Sequence, residues 1–287
     1  MLFRSLGLDA CGEIAEADAD SGLKAGQRVI AYPCDYCGQC EYCLAGEQPF
    51  CTSIKILGEQ RHGTYAQYLS MKAHCFLPIP DSLATRDAAA LSTAYLTAWR
   101  QVFGKSPLTP GETALVVGIG GGVALATLQL AKLAGARVIV TSGSDEKLAK
   151  AKALGADEVI NYKREKVAKR VLEMTNGRGA EIAYDNVGQA TWDETIRSVG
   201  KGGRIIVVGA TTGGMPAADL QRVFVRQLSI FGSTTGSMEE YRHLVRVAAQ
   251  GALKPVIDSV YAMDDYPKAL ARLEAAEQFG KIVVDIP

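Results

Sequence analysis

This chain lacks a surplus of charge of either sign. Its 287 residues carry 31 Lys and Arg against 31 Asp and Glu. A surface with no net field offers little to nucleic acid or to an anionic membrane, and neither is expected as a partner. No apolar run reaches the roughly 20 residues of a membrane span. The start, MLFRSLGLDACGEIAEADAD, has one Arg and a short apolar run broken by Asp9, then turns acidic, so it does not read as a secretion signal. Repeats and low-complexity segments are absent. Cysteine is sparse outside one stretch: five of the seven lie between Cys34 and Cys51. A chain this long needs no disulfide staples, so reduced, metal-holding thiols in the cytoplasm are expected.

Four of those cysteines, Cys37, Cys40, Cys43 and Cys51, have the spacing C-x2-C-x2-C-x7-C. Four thiolates on one loop make a closed tetrahedral zinc site with no position left for substrate. Such a metal holds the chain together and does no chemistry. Cys34 is a fifth nearby thiol that could substitute as a ligand, although the spacing favours the other four.

The texture changes along the chain. Residues 1 to about 92 are rich in Gly, Pro and Cys. Their short alternating stretches (CGEIAEA, QRVIAYP, TYAQYLSM) predict short strands in a loop-rich, partly antiparallel domain. From about Thr113, strands and helices alternate: TALVVG, GGVALATLQLAKLAG, RVIVTS, then SDEKLAKAKALGA with Ser144 as N-cap and Gly155 closing the helix. EVINY, EIAYDNV, GRIIVVGA and LSIFGST continue the strands. Fully apolar strands between helices mean an α/β parallel sheet covered on both faces. A helix over 239–250, a strand in KPVIDSVYAM, a helix in YPKALARLEAAEQ and a strand in GKIVVDI complete the tail. KREKVAKR and SMEEYRHLVR read as solvated helix faces.

Between the first two strands of the alternating region lies a turn with Gly118, Gly120, Gly121 and Gly122, followed by Val123 and a helix. Phosphate needs close backbone approach and unpaired N–H groups at a helix N-terminus, and this turn supplies both. A dinucleotide is therefore the expected cofactor. At the end of the next strand, an NAD site usually places a carboxylate on the adenosine 2′-hydroxyl. Thr141, Ser142, Gly143 and Ser144 offer none, and Lys147 lies one helical turn beyond. A cation there suits a 2′-phosphate, so NADPH is expected over NADH. Asp145 reads as a first-turn acid favourable to the helix dipole.

Together these motifs resemble the medium-chain dehydrogenase/reductase superfamily, the zinc-type alcohol dehydrogenase and quinone oxidoreductase family. The match runs over nearly the whole chain: LGLDACGEI with LKAGQRVIAYP, the cysteine cluster, GTYAQY, LTAW, PGETALVVG, the glycine-rich turn, LGADEVINY, YDNVG, GGRIIVVG, QLSIFGS and GKIVV. The resemblance implies a Rossmann doubly wound parallel sheet over residues 95–232. It also implies a GroES-like β-rich domain with a structural zinc lobe over residues 1–94 and 233–287. The family pattern begins well before LGLD, so the GroES-like domain is expected to be partial and N-terminally short. Pairing through the last Rossmann strand, LSIFGS, into a homodimer is implied as well.

In zinc-dependent members one catalytic ligand is a Cys in the segment preceding LGLD. The second is the His of a GHE motif, which stands as Leu8 in Gly7-Leu8-Asp9 here. The third is a Cys four residues before a TAY-like motif, which maps to Thr93. Leu cannot bind zinc and a Thr hydroxyl binds it poorly. Without a Lewis acid nothing lowers the pKa of an alcohol, whereas hydride delivery to a quinone or an α,β-unsaturated carbonyl remains feasible. The expectation is NADPH-dependent reduction of such a small molecule, with one structural zinc. The alternatives are a zinc-dependent alcohol or aldehyde dehydrogenase and a non-catalytic NADPH-binding protein.

Asp9, His62 and Thr97 are the catalytic candidates. Asp9 replaces the motif Glu and serves either the pocket or a structural hydrogen bond. His62 is either a proton donor or a solvated loop residue. By the resemblance Thr97 lies near the nicotinamide, unless it only packs. Tyr162 resembles a position flanking the adenine or its 2′-phosphate. Asn186, Gly188, Gly209, Phe231 and Gly232 fall at the C-terminal ends of strands, where a doubly wound sheet binds its ligand. Lys281 could reach the cofactor from the tail or stand as a surface charge.

Overall fold

Five short strands follow from the alternating stretches of the first part of the chain: β1 (Cys11–Glu13), β2 (Arg28–Ala31), β3 (Cys34–Asp35), β4 (Lys55–Ile56) and β5 (Phe76–Pro78). The computed structural model describes residues 5–287. β1, β2 and β5 form an antiparallel sheet in that order, and β3 pairs with β4 across the cysteine loop. α1 (Glu41–Leu44) lies inside that loop, and α2 (Thr85–Trp99) follows β5.

The stretch TYAQYLSM, expected as a strand, is not one. Only its first N–H groups find extended partners. Gly63, Thr64 and Tyr65 donate to the carbonyls of Ser5, Gly7 and Leu6. Beyond them Ala66 bonds locally to Thr64 and Tyr68 is exposed. Alternation alone does not make a strand where no neighbour supplies the other half of the ladder.

The regular region forms a second architecture. β6 (Thr113–Val116), β7 (Arg137–Ser142), β8 (Glu158–Asn161), β9 (Ala180–Asp185), β10 (Val199–Val207) and β11 (Ser229–Gly232) make one parallel sheet, ordered β11-β10-β9-β6-β7-β8. The strands alternate with α3 (Gly122–Leu133), α4 (Asp145–Ala153), α5 (Val167–Met174), α6 (Trp192–Ser198) and α7 (Leu220–Arg226). The chain therefore builds outward from β6 to β8, crosses back, and builds outward again from β9. Strand order reverses between β6 and β9. Leu115, Ile139, Ile160, Ala183 and Ile205 are fully buried between the helical layers. α5 buries Val167, Ala168 and Val171 while Lys169 and Glu173 pair across its outer face.

The tail contributes α8 (Met238–Ala249), β12 (Ile257–Ala262), α9 (Tyr266–Glu274) and β13 (Lys281–Asp285), with β12 and β13 parallel. α8 buries Met238, Tyr241, Leu244, Val245 and Ala248, one helical face, and opens with a capping box of Ser237 and Glu240. The chain divides into two compact units, Met1–Leu96 with Thr235–Pro287, and Thr97–Thr234. Hydrogen bonds knit the returning tail into the first unit. Tyr32 Oη donates to the Gly236 carbonyl at 2.5 Å, Tyr241 Oη to the Ala31 carbonyl at 3.3 Å, and Tyr95 Oη accepts from the Val256 N–H at 2.9 Å. No helix among the described residues is long and apolar enough to cross a membrane.

Asp258 fastens β12 to α9. It accepts from Arg272 Nε at 2.7 Å, from Arg272 Nη2 at 3.1 Å and from the Phe279 N–H at 2.9 Å. The Arg272 guanidinium lowers its pKa to about 2. A carboxylate depressed in the folded state stabilises above its unfolded pKa, and that stability is lost as pH falls toward the folded value. Asp258→Asn is expected to lower stability at neutral pH by about 1–3 kcal/mol. It should also flatten the acid limb between pH about 4 and about 2, followed by urea titration.

Candidate functional site

The four cysteines converge on one point. Cys43 sits on α1, and the sulfurs of Cys37, Cys40, Cys43 and Cys51 all lie within 4.8 Å of one another. The Cys37 and Cys43 sulfurs are 3.8 Å apart, the edge of a tetrahedron with metal–sulfur bonds of about 2.3 Å. Backbone N–H groups already point at the sulfurs. Gln39 and Cys40 donate to Cys37 Sγ at 3.5 and 3.3 Å, and Cys37 donates to Cys51 Sγ at 3.3 Å. The bonds from Gln39 and Cys40 lower the Cys37 thiol to about 6. Burial pushes the Cys43 thiol up to about 12. Number, softness and closure of the donors all fit a structural zinc ion. Among the described residues this is the one group of three or more ligand side chains close enough to hold a metal. Cys34, on β3, is not part of it; its thiol is buried and pushed up to about 12.

After β6 the backbone turns through Gly118 and Gly120 into α3, whose N-cap is Gly121 with no side-chain cap. The first N–H groups of α3 are thus left to a ligand. Gly120 has φ of +133°, which glycine adopts freely, and a Cβ there would lie 2.9 Å from Lys147 Cδ and 3.3 Å from Nζ. The Lys147 side chain therefore lies over the turn. Gly118 donates its N–H to Thr141 Oγ1 at the end of β7. Ser144 caps α4, accepting from the Lys147 N–H at 3.4 Å, and donates its own N–H to Ser142 Oγ at 3.2 Å. A Cβ on Gly143 would meet the Tyr162 hydroxyl and Lys163 Cε, both at 2.8 Å, so these two side chains close over the end of β7. Asp145, the acid of this corner, is held by Asn161 Nδ2 at 2.7 Å and by Arg164. Lys147, Lys163 and Arg164 leave the corner cationic.

On the other side of the strand reversal, Asn186 and Gly209 follow β9 and β10 in close backbone approach. A Cβ on Gly209 would lie 2.7 Å from the Asn186 carbonyl oxygen. Phe231 and Gly232 end β11, and Thr97 is buried near the end of α2. Val123 holds its place in α3, where its carbonyl accepts from Thr127 Oγ1 at 2.8 Å. Asn186, Gly209, Phe231, Gly232 and the turn fall at the C-terminal ends of the parallel strands, an arrangement that could hold an extended dinucleotide.

Asp9 is bound up in the first unit. Its Oδ1 accepts from the Thr93 N–H at 2.8 Å and from Thr93 Oγ1 at 2.5 Å, and its Oδ2 accepts from Lys281 Nζ at 2.6 Å. Burial pushes its pKa up, but the Lys281 charge and the hydrogen bonds from Lys281 and Thr93 outweigh it, and the net shift is down. Lys281, read either as reaching the cofactor or as a surface charge, is here the counter-ion of Asp9, and the Thr93 hydroxyl is already committed. His62 is exposed, and its Nδ1 accepts from the Ser5 N–H at 3.3 Å.

Two features went unseen in the sequence. Asp185, fully buried at the end of β9, accepts from the Val187 and Gly188 N–H groups and from the Thr191 and Thr195 hydroxyls. It shapes the turn that presents Asn186, and an acid closing an otherwise apolar strand was the signal for it. Gln101, buried beside Asn186, carried no signal in its own stretch.

Cys43→Ser is expected to take zinc from about one per chain to near zero in elemental analysis of dialysed protein. The 34–57 loop should then be cut faster by protease.

Two family models match. Residues 4–81 match the alcohol dehydrogenase GroES-like domain, and residues 122–250 match the zinc-binding dehydrogenase domain. A zinc-type alcohol dehydrogenase-like protein of Schizosaccharomyces pombe is 33% identical over 98% of this chain and 81% of its own length. Among solved structures, an NAD-dependent alcohol dehydrogenase superposes with a TM-score of 0.94 at 40% identity, covering 99% of this chain and 83% of that one. The alcohol dehydrogenase of Aeropyrum pernix superposes with a TM-score of 0.90 at 34% identity, over 97% and 82%. The four-cysteine lobe, the doubly wound sheet with its glycine-rich turn and these similarities lead to one conclusion: the chain belongs to the zinc-type alcohol dehydrogenase family of the medium-chain dehydrogenase/reductase superfamily and is an NAD(P)-dependent oxidoreductase.

Proposed function

We propose that the chain reduces a small quinone or α,β-unsaturated carbonyl with NADPH, with one structural zinc and no catalytic one. The observation that carries this reading is the state of Thr93. By the family resemblance, Leu8 and Thr93 stand where zinc-dependent members place two of their three catalytic ligands. Leu8 has no donor atom, and the Thr93 hydroxyl is spent on Asp9 at 2.5 Å. A bound nicotinamide supplies the hydride. The N–H groups of Gly121, Gly122 and Val123 would take the pyrophosphate, and Tyr162 would flank the adenosine end with Ser142, Gly143 and Ser144. Lys147, helped by Lys163 and Arg164, would favour a 2′-phosphate. Thr97, Asn186, Gly209, Phe231 and Gly232 would flank the nicotinamide half. Asp9 and Lys281 act here as a structural pair, and the proton that completes reduction comes from water.

Alcohol oxidation is the second reading, favoured by the names that the relatives carry. It requires a second metal. The deciding experiment pairs zinc analysis with turnover assays, using NADPH and NADH against quinones and enones, and NADP+ and NAD+ against alcohols. About one zinc per chain and enone or quinone turnover at lower NADPH than NADH concentration is the expected result. About two zincs with alcohol turnover would overturn it.

We also propose a homodimer formed through the free edge of β11. Support comes from exposed apolar side chains on α7 and β11: Leu220 and Phe224 are each 69% exposed and Ile230 44%. Soluble chains rarely leave such a group uncovered. Phe224→Asp is expected to shift the sedimentation coefficient from dimer to monomer; a wild-type monomer would refute the pairing.

A further inference from the structure

Gln101 lies where the chain departs from the α-helix. Beyond Trp99, α2 continues as a π-helix over Arg100–Lys105. Such a widened turn is rare and recurs at functional sites. Gln101 is fully buried in it. Its Oε1 accepts from the Thr127 hydroxyl on α3 at 3.2 Å, and its Nε2 donates to Asn186 Oδ1 at 3.3 Å. Thr127 shares that hydroxyl proton with the Val123 carbonyl, at 2.8 Å, in the first turn of α3. A polar chain thus runs from just behind the glycine-rich turn to Asn186. It stops short of completion: Asn186 Nδ2 is buried and has no hydrogen-bond partner. A buried amide donor left unpaired is a desolvation cost that a ligand oxygen would remove.

We propose that Gln101 is a positioning residue, whose amide holds the Asn186 carboxamide so that Nδ2 meets an acceptor oxygen on the nicotinamide half of the cofactor. The assignment rests on the dinucleotide reading above. If the phosphates lie at Gly121–Val123 and the adenosine lies at the end of β7, then the nicotinamide half falls on the β9 side of the reversal, where Asn186 stands. Gln101 itself touches no ligand in this arrangement. It sets the direction of the one group that does. Leu or Met at position 101 would fill the same space but leave the Asn186 amide free to turn.

The test measures NADPH binding by fluorescence titration for wild type, Gln101→Met, Asn186→Ala and the double variant, with cofactor-free melting temperatures alongside. Each single variant is expected to raise the Kd about fivefold, the effect of losing one neutral hydrogen bond. The double variant should be no weaker than the worse single one, because both act through one contact. Additive losses would overturn the proposal, as would a Gln101→Met protein that melts lower but binds NADPH unchanged. If Gln101→Met does not fold, Thr127→Val breaks the same chain one link earlier and is judged by the same criteria. If the wild type binds neither NADPH nor NADH, the cofactor reading itself fails and takes this assignment with it. Wild-type binding with additive or absent effects removes the positioning role alone.

Discussion

A carboxylate taken out of water must be paired, and in the first unit Asp9 is paired by groups brought from the far ends of the chain. Lys281 is 272 residues away and Thr93 is 84. Removing one partner of such a buried pair costs about 3–5 kcal/mol, because the other charge is left without compensation. The unit is discontinuous in sequence, so something must hold the returning tail. Three tyrosines do so by hydrogen bonding, from Tyr32, Tyr95 and Tyr241. The Asp9–Lys281 pair adds a buried charge-assisted contact, and Arg86 on α2 pairs with Asp285 on β13.

The same pairing bears on the chemistry. A zinc ion needs ligands that are free, deprotonated and aimed at one point. Asp9 is aimed at Lys281 and Thr93, and Thr93 is aimed back. Each oxygen satisfied inside this cluster is an oxygen withheld from a metal. Lys281 also sets a positive charge 2.6 Å from the Asp9 carboxylate. Within this cluster, charge and hydrogen bonding therefore act in the same direction, holding Asp9, Thr93 and Lys281 to one another.

Legibility in the sequence followed the range of the interactions. The cysteine cluster, the strand–helix alternation, the glycine-rich turn and the Ser144 cap were all readable, because each is fixed within about fifteen residues by spacing, period or backbone freedom. TYAQYLSM misled because alternation describes one strand and says nothing of its neighbour. Lys281 misled because a lone lysine in a tail carries no mark of its partner. Asp9, Thr93 and Lys281 were each singled out, and for three different reasons; only three-dimensional folding makes them one cluster. Gln101 was invisible because a π-helical turn leaves no periodic trace, and the polar pair Arg100-Gln101 after TAW reads as an ordinary helix surface.

The two metal questions separate on the same physical ground. The cysteine loop has two paired strands of two residues each, one single-turn α-helix and one 3-10 turn over Gln48–Phe50. So few backbone hydrogen bonds and so little apolar burial cannot offset the entropy of ordering such a loop. Four thiolates around an ion can, since binding free energy at such a site is folding free energy. The rest of the first unit needs no such help: β2, α2 and α8 already supply Ile30, Leu91, Leu96, Tyr241 and Leu244 as fully buried side chains. Where the first unit has a core, an ion pair and hydrogen bonds suffice. In the cysteine loop, where the regular elements are only two to four residues long, the sequence provides the ligands for a metal as well.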